Sequence, residues 1–242
     1  DVLGIDYQIT RGSLDKIPTS GATIVVANHP LGCVEGVILA ELLLMLRDDV
    51  QILANQYLKT VPELDKLFIG VDVFDGESAH RANMKALRCA NKHLEQGGLL
   101  LMFPAGEVSH LVDRKAQKLE DKEWSRSVSS LIRKNKATTV PVFISGQNSK
   151  RFYMAGKIHP LLRTLMLGRE LLNKHAQTIK LSFGQAIKFK ELDSERQTLD
   201  LQLKSMRWRD FDQHLQQKTE NIREASNRLE ERLARKASID NQ

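Results

Sequence analysis

His29 and Glu35 are the two side chains in this sequence best suited, by type and spacing, to acid–base chemistry. His29 follows the apolar run Thr23-Ile24-Val25-Val26-Ala27 and precedes Pro30, which biases it towards extended backbone. That places it at the C-terminal end of a strand, the edge of an open α/β sheet where ligands bind. Glu35 stands near the start of the next helix, with Gly32 between them to fold the turn back. A carboxylate on one ring nitrogen fixes the imidazole tautomer and stabilises the imidazolium, leaving the other nitrogen to take a proton. Such a pair also occurs as a plain structural contact, so its surroundings decide what it does.

Phe103-Pro104-Ala105-Gly106-Glu107-Val108-Ser109 sets an acid and a hydroxyl in a glycine-containing loop, again directly after a strand. Loops in that position often bind substrate. Val140-Pro141-Val142-Phe143-Ile144-Ser145-Gly146 reads as a buried strand, its proline pointing to an edge or an irregular ladder.

The elements that must carry these residues alternate between β-rich runs and helical patterns, the order of an α/β chain. Strands are expected at Thr23–Ala27, Gln51–Ala54, around Leu67–Val73, Leu99–Phe103, Thr138–Ser145 and Thr178–Phe183. Helices are expected over Val34–Arg47, from an N-cap at Ser78 to Glu95, and over Trp124–Lys134. Gly97-Gly98 stop the second helix. The chain divides into a body, 1–190, and a helical, charged C-terminal tail, 191–242, in which Asp210–Lys236 is rich in helix formers.

Composition bounds the partners. Hydrophobic residues are 41% and charged residues 27%, a globular balance, while aromatics at 5% are too few for a base-stacking platform. Lys and Arg outnumber Asp and Glu by 36 to 30, a net charge of +6 that favours anionic lipid, phosphorylated ligands or an acidic carrier protein. Between Gln147 and Lys190 stand nine Lys or Arg and one acid, Glu170, interleaved with large aliphatic residues, the composition of an interfacial helix or of a basic surface helix packing its leucines inward. Cys33 and Cys89 fit a reducing compartment and, being set in apolar stretches, are expected as small buried thiols. No metal-ligand spacing occurs among the scattered histidines. The longest apolar stretch, Gly36–Leu46, is broken by Glu41 and too short to span a bilayer.

Taken in order, Asn28-His29-Pro30-Leu31-Gly32-Cys33-Val34-Glu35-Gly36, Leu67–Asp72, Phe103–Ser109 and Val140–Gly146 resemble the four motif blocks of the glycerolipid acyltransferases, which include the lysophosphatidate acyltransferases. The likeness is closer to the bacterial hemolysin-like or ornithine-lipid-type branch and covers roughly Asp1–Lys190. It implies a mixed central sheet flanked by helices, followed here by the charged C-terminal helix. It also implies transfer of a fatty acyl group from acyl carrier protein or acyl-CoA to a lyso-lipid hydroxyl, of the 1-acylglycerol-3-phosphate or lyso-ornithine-lipid type. His29 would be the base and Glu35 its partner, with Phe103, Pro104, Gly106, Glu107 and Ser109 near the acceptor. No metal or organic cofactor is implied, only the acyl carrier protein or coenzyme A thioester as co-substrate. The implied place is cytoplasmic, peripheral on the inner face of the cytoplasmic membrane, with membrane lipids as partners and neither nucleic acid nor a transmembrane segment.

Three departures stand out. The family's common first block is His-x4-Asp, whereas position 34 is Val and the acid is Glu35. The Glu that commonly follows Phe-Pro is replaced by Ala105, with Glu107 two residues on. The phosphate-binding Arg of the second block is absent after Asp72, leaving Arg81 or Arg114 to substitute, or a different head group such as an amino-acid lipid. Two rivals follow: a lipid or ester hydrolase using Ser109, opposed by the lack of a Gly-x-Ser-x-Gly elbow, and an inactive lipid-surface module. No Walker loop or dinucleotide fingerprint supports a nucleotide-binding protein.

Overall fold

The computed structural model describes residues 4–56, 66–72, 77–113 and 118–191. Arg114 and the charged helix expected within 210–236 lie outside the described residues.

The strands among the described residues are β1 (Asp6–Arg11), β2 (Thr23–Ala27), β3 (Val50–Asn55), β4 (Phe68–Val71), β5 (Leu99–Met102), β6 (His110–Asp113), β7 (Lys118–Glu120), β8 (Thr138–Ile144) and β9 (Thr178–Phe183). The α-helices among the described residues are α1 (Cys33–Leu44), α2 (Glu77–Glu95), α3 (Ser127–Asn135), α4 (Lys150–Ile158), α5 (Pro160–Leu165) and α6 (Leu167–Leu172). Seven strands form one sheet in the order β1-β9-β8-β2-β5-β3-β4, and β6 and β7 form a separate antiparallel hairpin. From β8 to β4 the strands run parallel, and β9 turns antiparallel to β8 before β1 pairs parallel with it.

Parallel strands covered on both faces read as unbroken apolar runs. β2 (TIVVA) and β5 (LLLM) fit that rule, every residue of both being buried. Their alternate side chains divide between two layers. Val25, Ala27, Leu99 and Leu101 face α1, which contributes Ile38, Leu39 and Leu43. Ile24, Val26, Leu100 and Met102 face α2 and α3, which contribute Ala90, Leu94, Val128 and Ile132.

Helix ends follow local chemistry. Gly97, at φ +86°, ends α2: its N–H donates to Leu94 O, and that of Gly98 to His93 O, the paired bonds of a Schellman cap. His159, extended at φ −159° before Pro160, separates α4 from α5, so the expected interfacial helix is three short helices. α3 begins at Ser127 rather than Trp124, because Trp124 is buried as an anchor for the preceding loop. Cys89 is exposed on α2, contrary to the expectation of a buried thiol, because a helix turns part of an apolar-looking stretch outward. Among the described residues no helix is long and apolar enough to cross a membrane.

Candidate active site

β2, β5 and β8 deliver three loops to one edge of the sheet, beyond the carboxyl ends of the parallel strands. The loop after β2 carries His29. Glu35, on the first turn of α1, is fully buried and folds back over the loop. Its Oε1 accepts from the backbone N–H groups of Leu31 at 2.8 Å and Gly32 at 2.9 Å, and lies 3.0 Å from His29 Nδ1. The ring N–H does not point squarely at that oxygen, so the approach is close without being a well-aligned hydrogen bond. Catalytic contacts often tighten only when substrate binds.

Gly32 makes the fold-back feasible. It sits at φ +101°, and a Cβ there would stand 2.6 Å from Leu167 of α6, so neither the backbone nor the space admits a side chain.

The His29 side chain keeps 19% of its surface while Nδ1 has none, so its exposed atoms are the others of the ring. Phe103 packs on one face of the imidazole, centroids 4.4 Å apart and tilted by 31°. The loop is braced from below. Asn28 exchanges two hydrogen bonds with the backbone of Ile144, at 2.9 and 2.7 Å. Asn148 donates to the carbonyls of Pro30 and Leu31, and its own N–H donates to Tyr153 Oη. Ser109 N–H donates to His29 O at 2.8 Å, while its hydroxyl donates to Asp121 Oδ1. Asp121 also accepts from the His29 N–H at 3.4 Å and from the Trp124 indole at 3.0 Å.

Burial, with Glu35 close by, pushes the Cys33 thiol up, so it stays protonated and unsuited to nucleophilic attack.

The remaining expected site residues are arranged differently. Pro104 is buried and its carbonyl accepts from Ser125 N–H, and Gly106, at φ +71°, closes a turn onto Phe103 O. Glu107 is held in an ionic cluster between its loop and α5. Its Oε2 pairs with Arg163 at 2.6 Å, and its Oε1 lies 3.3 Å from Lys122 and 3.6 Å from His110. Arg163 also meets His110 Nδ1 at 2.8 Å. Burial alone would push the Glu107 carboxyl up, but the Arg163 hydrogen bond, with His110 and Lys122 beside it, holds it below the usual carboxylate range. Arg81 is exposed on α2, on the other layer of the sheet from α1. Thus His29, Glu35, Phe103 and Ser109 come together, while Glu107 is engaged by Arg163, Lys122 and His110, and Arg81 lies on α2.

Among the described residues no cluster of three or more His, Cys, Asp or Glu side chains could hold a metal ion.

Comparison with known proteins places this arrangement. The family model described as acyltransferase matches residues 2–214. The chain belongs to the acyltransferase family. A lyso-glycine lipid O-acyltransferase of Phocaeicola vulgatus is 26% identical to it over 200 residues, covering 79% of this chain and 68% of that protein. A protein of the same name from Bacteroides thetaiotaomicron is 25% identical over 199 residues, covering 79% and 70%. The crystal structure of PlsC, the 1-acyl-sn-glycerophosphate acyltransferase of Thermotoga maritima, superposes with a TM-score of 0.52 at 18% identity, covering 83% of this chain and 70% of that one. At that identity the likeness establishes the fold, a glycerolipid acyltransferase sheet flanked by helices.

Three residues that hold the acyltransferase's His29 loop escaped the sequence reading as individuals: Asn28, Asp121 and Asn148. Asn28 lay inside a recognised block, but nothing marks a side chain that will clamp a strand 116 positions away. Asp121 sits in the charged run Glu120-Asp121-Lys122-Glu123, which reads as solvated surface; its one signal is Trp124, the isolated aromatic that buries the segment.

Proposed function

We propose that this acyltransferase moves a fatty acyl group from a thioester donor to a hydroxyl of a lyso-lipid, with His29 as general base. The acceptor proton passes to the ring nitrogen opposite Glu35, the oxygen bonds to the thioester carbonyl, and the C–S bond breaks. The leaving thiolate then takes the proton from the imidazolium. Glu35 holds the tautomer and balances the transient positive charge. The observation that carries this reading is the 3.0 Å contact between His29 Nδ1 and the buried Glu35 carboxylate, which the chain builds one residue later than the family's usual spacing.

The acceptor is a lyso-lipid whose head group carries an amino acid. Two features support it: the second block lacks an Arg after Asp72, and the relatives named above are lyso-glycine lipid O-acyltransferases. The donor is acyl carrier protein or coenzyme A thioester, met by a protein with a net charge of +6. The hydrolase alternative is disfavoured by Ser109, whose buried hydroxyl donates to Asp121.

Incubating the purified protein with each thioester and a panel of lyso-lipids, followed by mass spectrometry, tests the reading. A new O-acylated product from an amino-acid lyso-lipid supports it. Product only from lysophosphatidate overturns the acceptor, and free fatty acid in place of acylated lipid overturns the reaction.

A further inference from the structure

The segment α4–α6 carries a chemistry that the active-site loop leaves unused. Five large apolar side chains project into solvent along it: Met154 at 59% exposure, Ile158 at 77%, Leu162 at 42%, Leu165 at 78% and Leu172 at 65%. Exposed leucines scattered singly need no explanation, but a run confined to three successive short helices does. Exposed cations, Lys150, Arg151, Lys157 and Arg169, lie among them.

Among the described residues Arg163 is paired with Glu107 and Arg169 lies 4.0 Å from Glu170, while Lys150, Arg151 and Lys157 face solvent outside any such ion pair. Glu170, the one acid between Gln147 and Lys190, is buried at 1% exposure and turned inward. It accepts from the Ser149 hydroxyl at 2.6 Å and the Ser149 N–H at 2.8 Å, completing the N-terminus of α4. Lys150 and Arg151 then occupy the first turn of α4, where cations oppose the helix dipole. Helix stability does not account for them there. A positive, apolar, unpartnered surface matches an anionic bilayer, which takes the apolar tips below its head groups and the cations at their level.

A second observation connects this surface to the support of the His29 loop. A cavity of about 270 Å³ opens beside α4, lined by Lys150, Met154 and Lys157 together with Leu111, Tyr153 and Asn148. Asn148 is the side chain that holds the Pro30 and Leu31 carbonyls of the His29 loop. The cavity therefore meets the exposed face on one side and, on the other, Asn148, a support of the His29 loop.

We infer that α4–α6 is the surface by which the protein docks on an anionic lipid bilayer, with the lysine-flanked cavity admitting the lipid from that side. The inference rests on the lyso-lipid reading of the active site for its purpose, and its test is independent of turnover.

The 242-residue chain is sedimented with vesicles of neutral phosphatidylcholine, with and without an anionic phospholipid, beside Ile158→Glu/Leu165→Glu and Lys150→Gln/Lys157→Gln. Met84→Glu serves as the control, since Met84 is an exposed apolar residue at 43% on α2, across the sheet. Binding to anionic vesicles should weaken about tenfold or more in each double variant, at roughly fivefold per lysine near such a surface, and stay unchanged in Met84→Glu. Activity on detergent-dispersed acceptor should persist in Ile158→Glu/Leu165→Glu, whose side chains lie outside the cavity lining, and thermal unfolding matched to wild type should show that both double variants fold. Undiminished binding by Ile158→Glu/Leu165→Glu, or an equal loss in Met84→Glu, would overturn the surface. So would wild-type self-association that this double variant abolishes while no vesicle binds, since a second copy would then be the occupant. Vesicle binding without turnover on any dispersed acceptor would sink the acyl-transfer reading and leave the surface standing.

Discussion

The two ends of the parallel sheet are built on opposite principles. At the amino ends of the strands Arg47 is buried, its side chain only 3% exposed, and all three of its guanidinium nitrogens are engaged. It forms a bidentate pair with Asp49 at 2.7 and 2.6 Å and donates to the carbonyls of Pro18, Gly21 and Gly97. At the carboxyl ends the polar groups are incompletely satisfied. Among the described residues five buried side-chain atoms lack a well-aligned hydrogen-bond partner: Asn135 Oδ1 and Thr139 Oγ1 stand singly about the start of β8, whereas His29 Nδ1, Glu35 Oε2 and Asn148 Oδ1 cluster in one loop and its supports. Buried polar atoms usually find partners, so a cluster that does not is where stability has yielded to something else. One end of the sheet closes the fold, and the other, on the function proposed above, holds a histidine and a carboxylate for use.

The contrast predicts opposite consequences for the two ends. Arg47→Ala should lower unfolding free energy by about 3 kcal/mol, because several buried carbonyls and Asp49 lose a charged donor together. Chemical denaturation checks this, and acyl transfer per folded molecule should remain within about twofold.

Glu35→Gln should do the reverse. Glutamine keeps an oxygen for the Leu31 and Gly32 N–H groups, so stability should change by only about 1 kcal/mol. The missing charge beside His29 should slow turnover about 100-fold. Equal losses of stability and rate would show Glu35 to be a helix cap and nothing more.

Tyr153 sharpens the comparison from the buried support beneath the loop. Burial, chiefly, pushes its hydroxyl from 10.0 up to about 12. The folded state therefore holds a proton that the unfolded chain releases, and this contribution is full below pH 10 and is lost as pH rises towards 12. Across that window wild type should lose about 2 kcal/mol more than Tyr153→Phe, measured by denaturation at each pH.

Glu107 should give the smallest effect and the opposite sign. Its carboxyl is held below the ordinary 4.5, so its contribution is present above that value and fades as pH falls through its folded range. Because Glu107 is 32% exposed, Glu107→Gln should cost at most about 1 kcal/mol at neutral pH, a difference that closes in acid.

What could be seen in the sequence was local or strongly periodic. β2 and β5 announced themselves as short apolar runs, and β9 was placed to the residue at Thr178–Phe183. His29 and Glu35 were visible because one turn joins them. β1 was not, since it is an edge strand whose burial alternates only partly, and its partner β9 lies 172 positions away at Asp6 and Thr178. The β6–β7 hairpin, with strands of four and three residues, is too short to show a period. Glu107 was visible as an acid in a loop, but Arg163, which fixes it, stands 56 positions later on another element. The basic, leucine-rich segment announced its composition without showing that Pro160 divides it or that Glu170 faces inward.

The central claim is that His29 is the base, and a single-turnover rate of acyl transfer by His29→Ala beside wild type tests it most directly. With thermal unfolding of the two proteins matched, the rate should fall by about 10²- to 10⁴-fold. A rate within about threefold of wild type, with the protein folded, would contradict the account and move the chemistry away from the β2 loop.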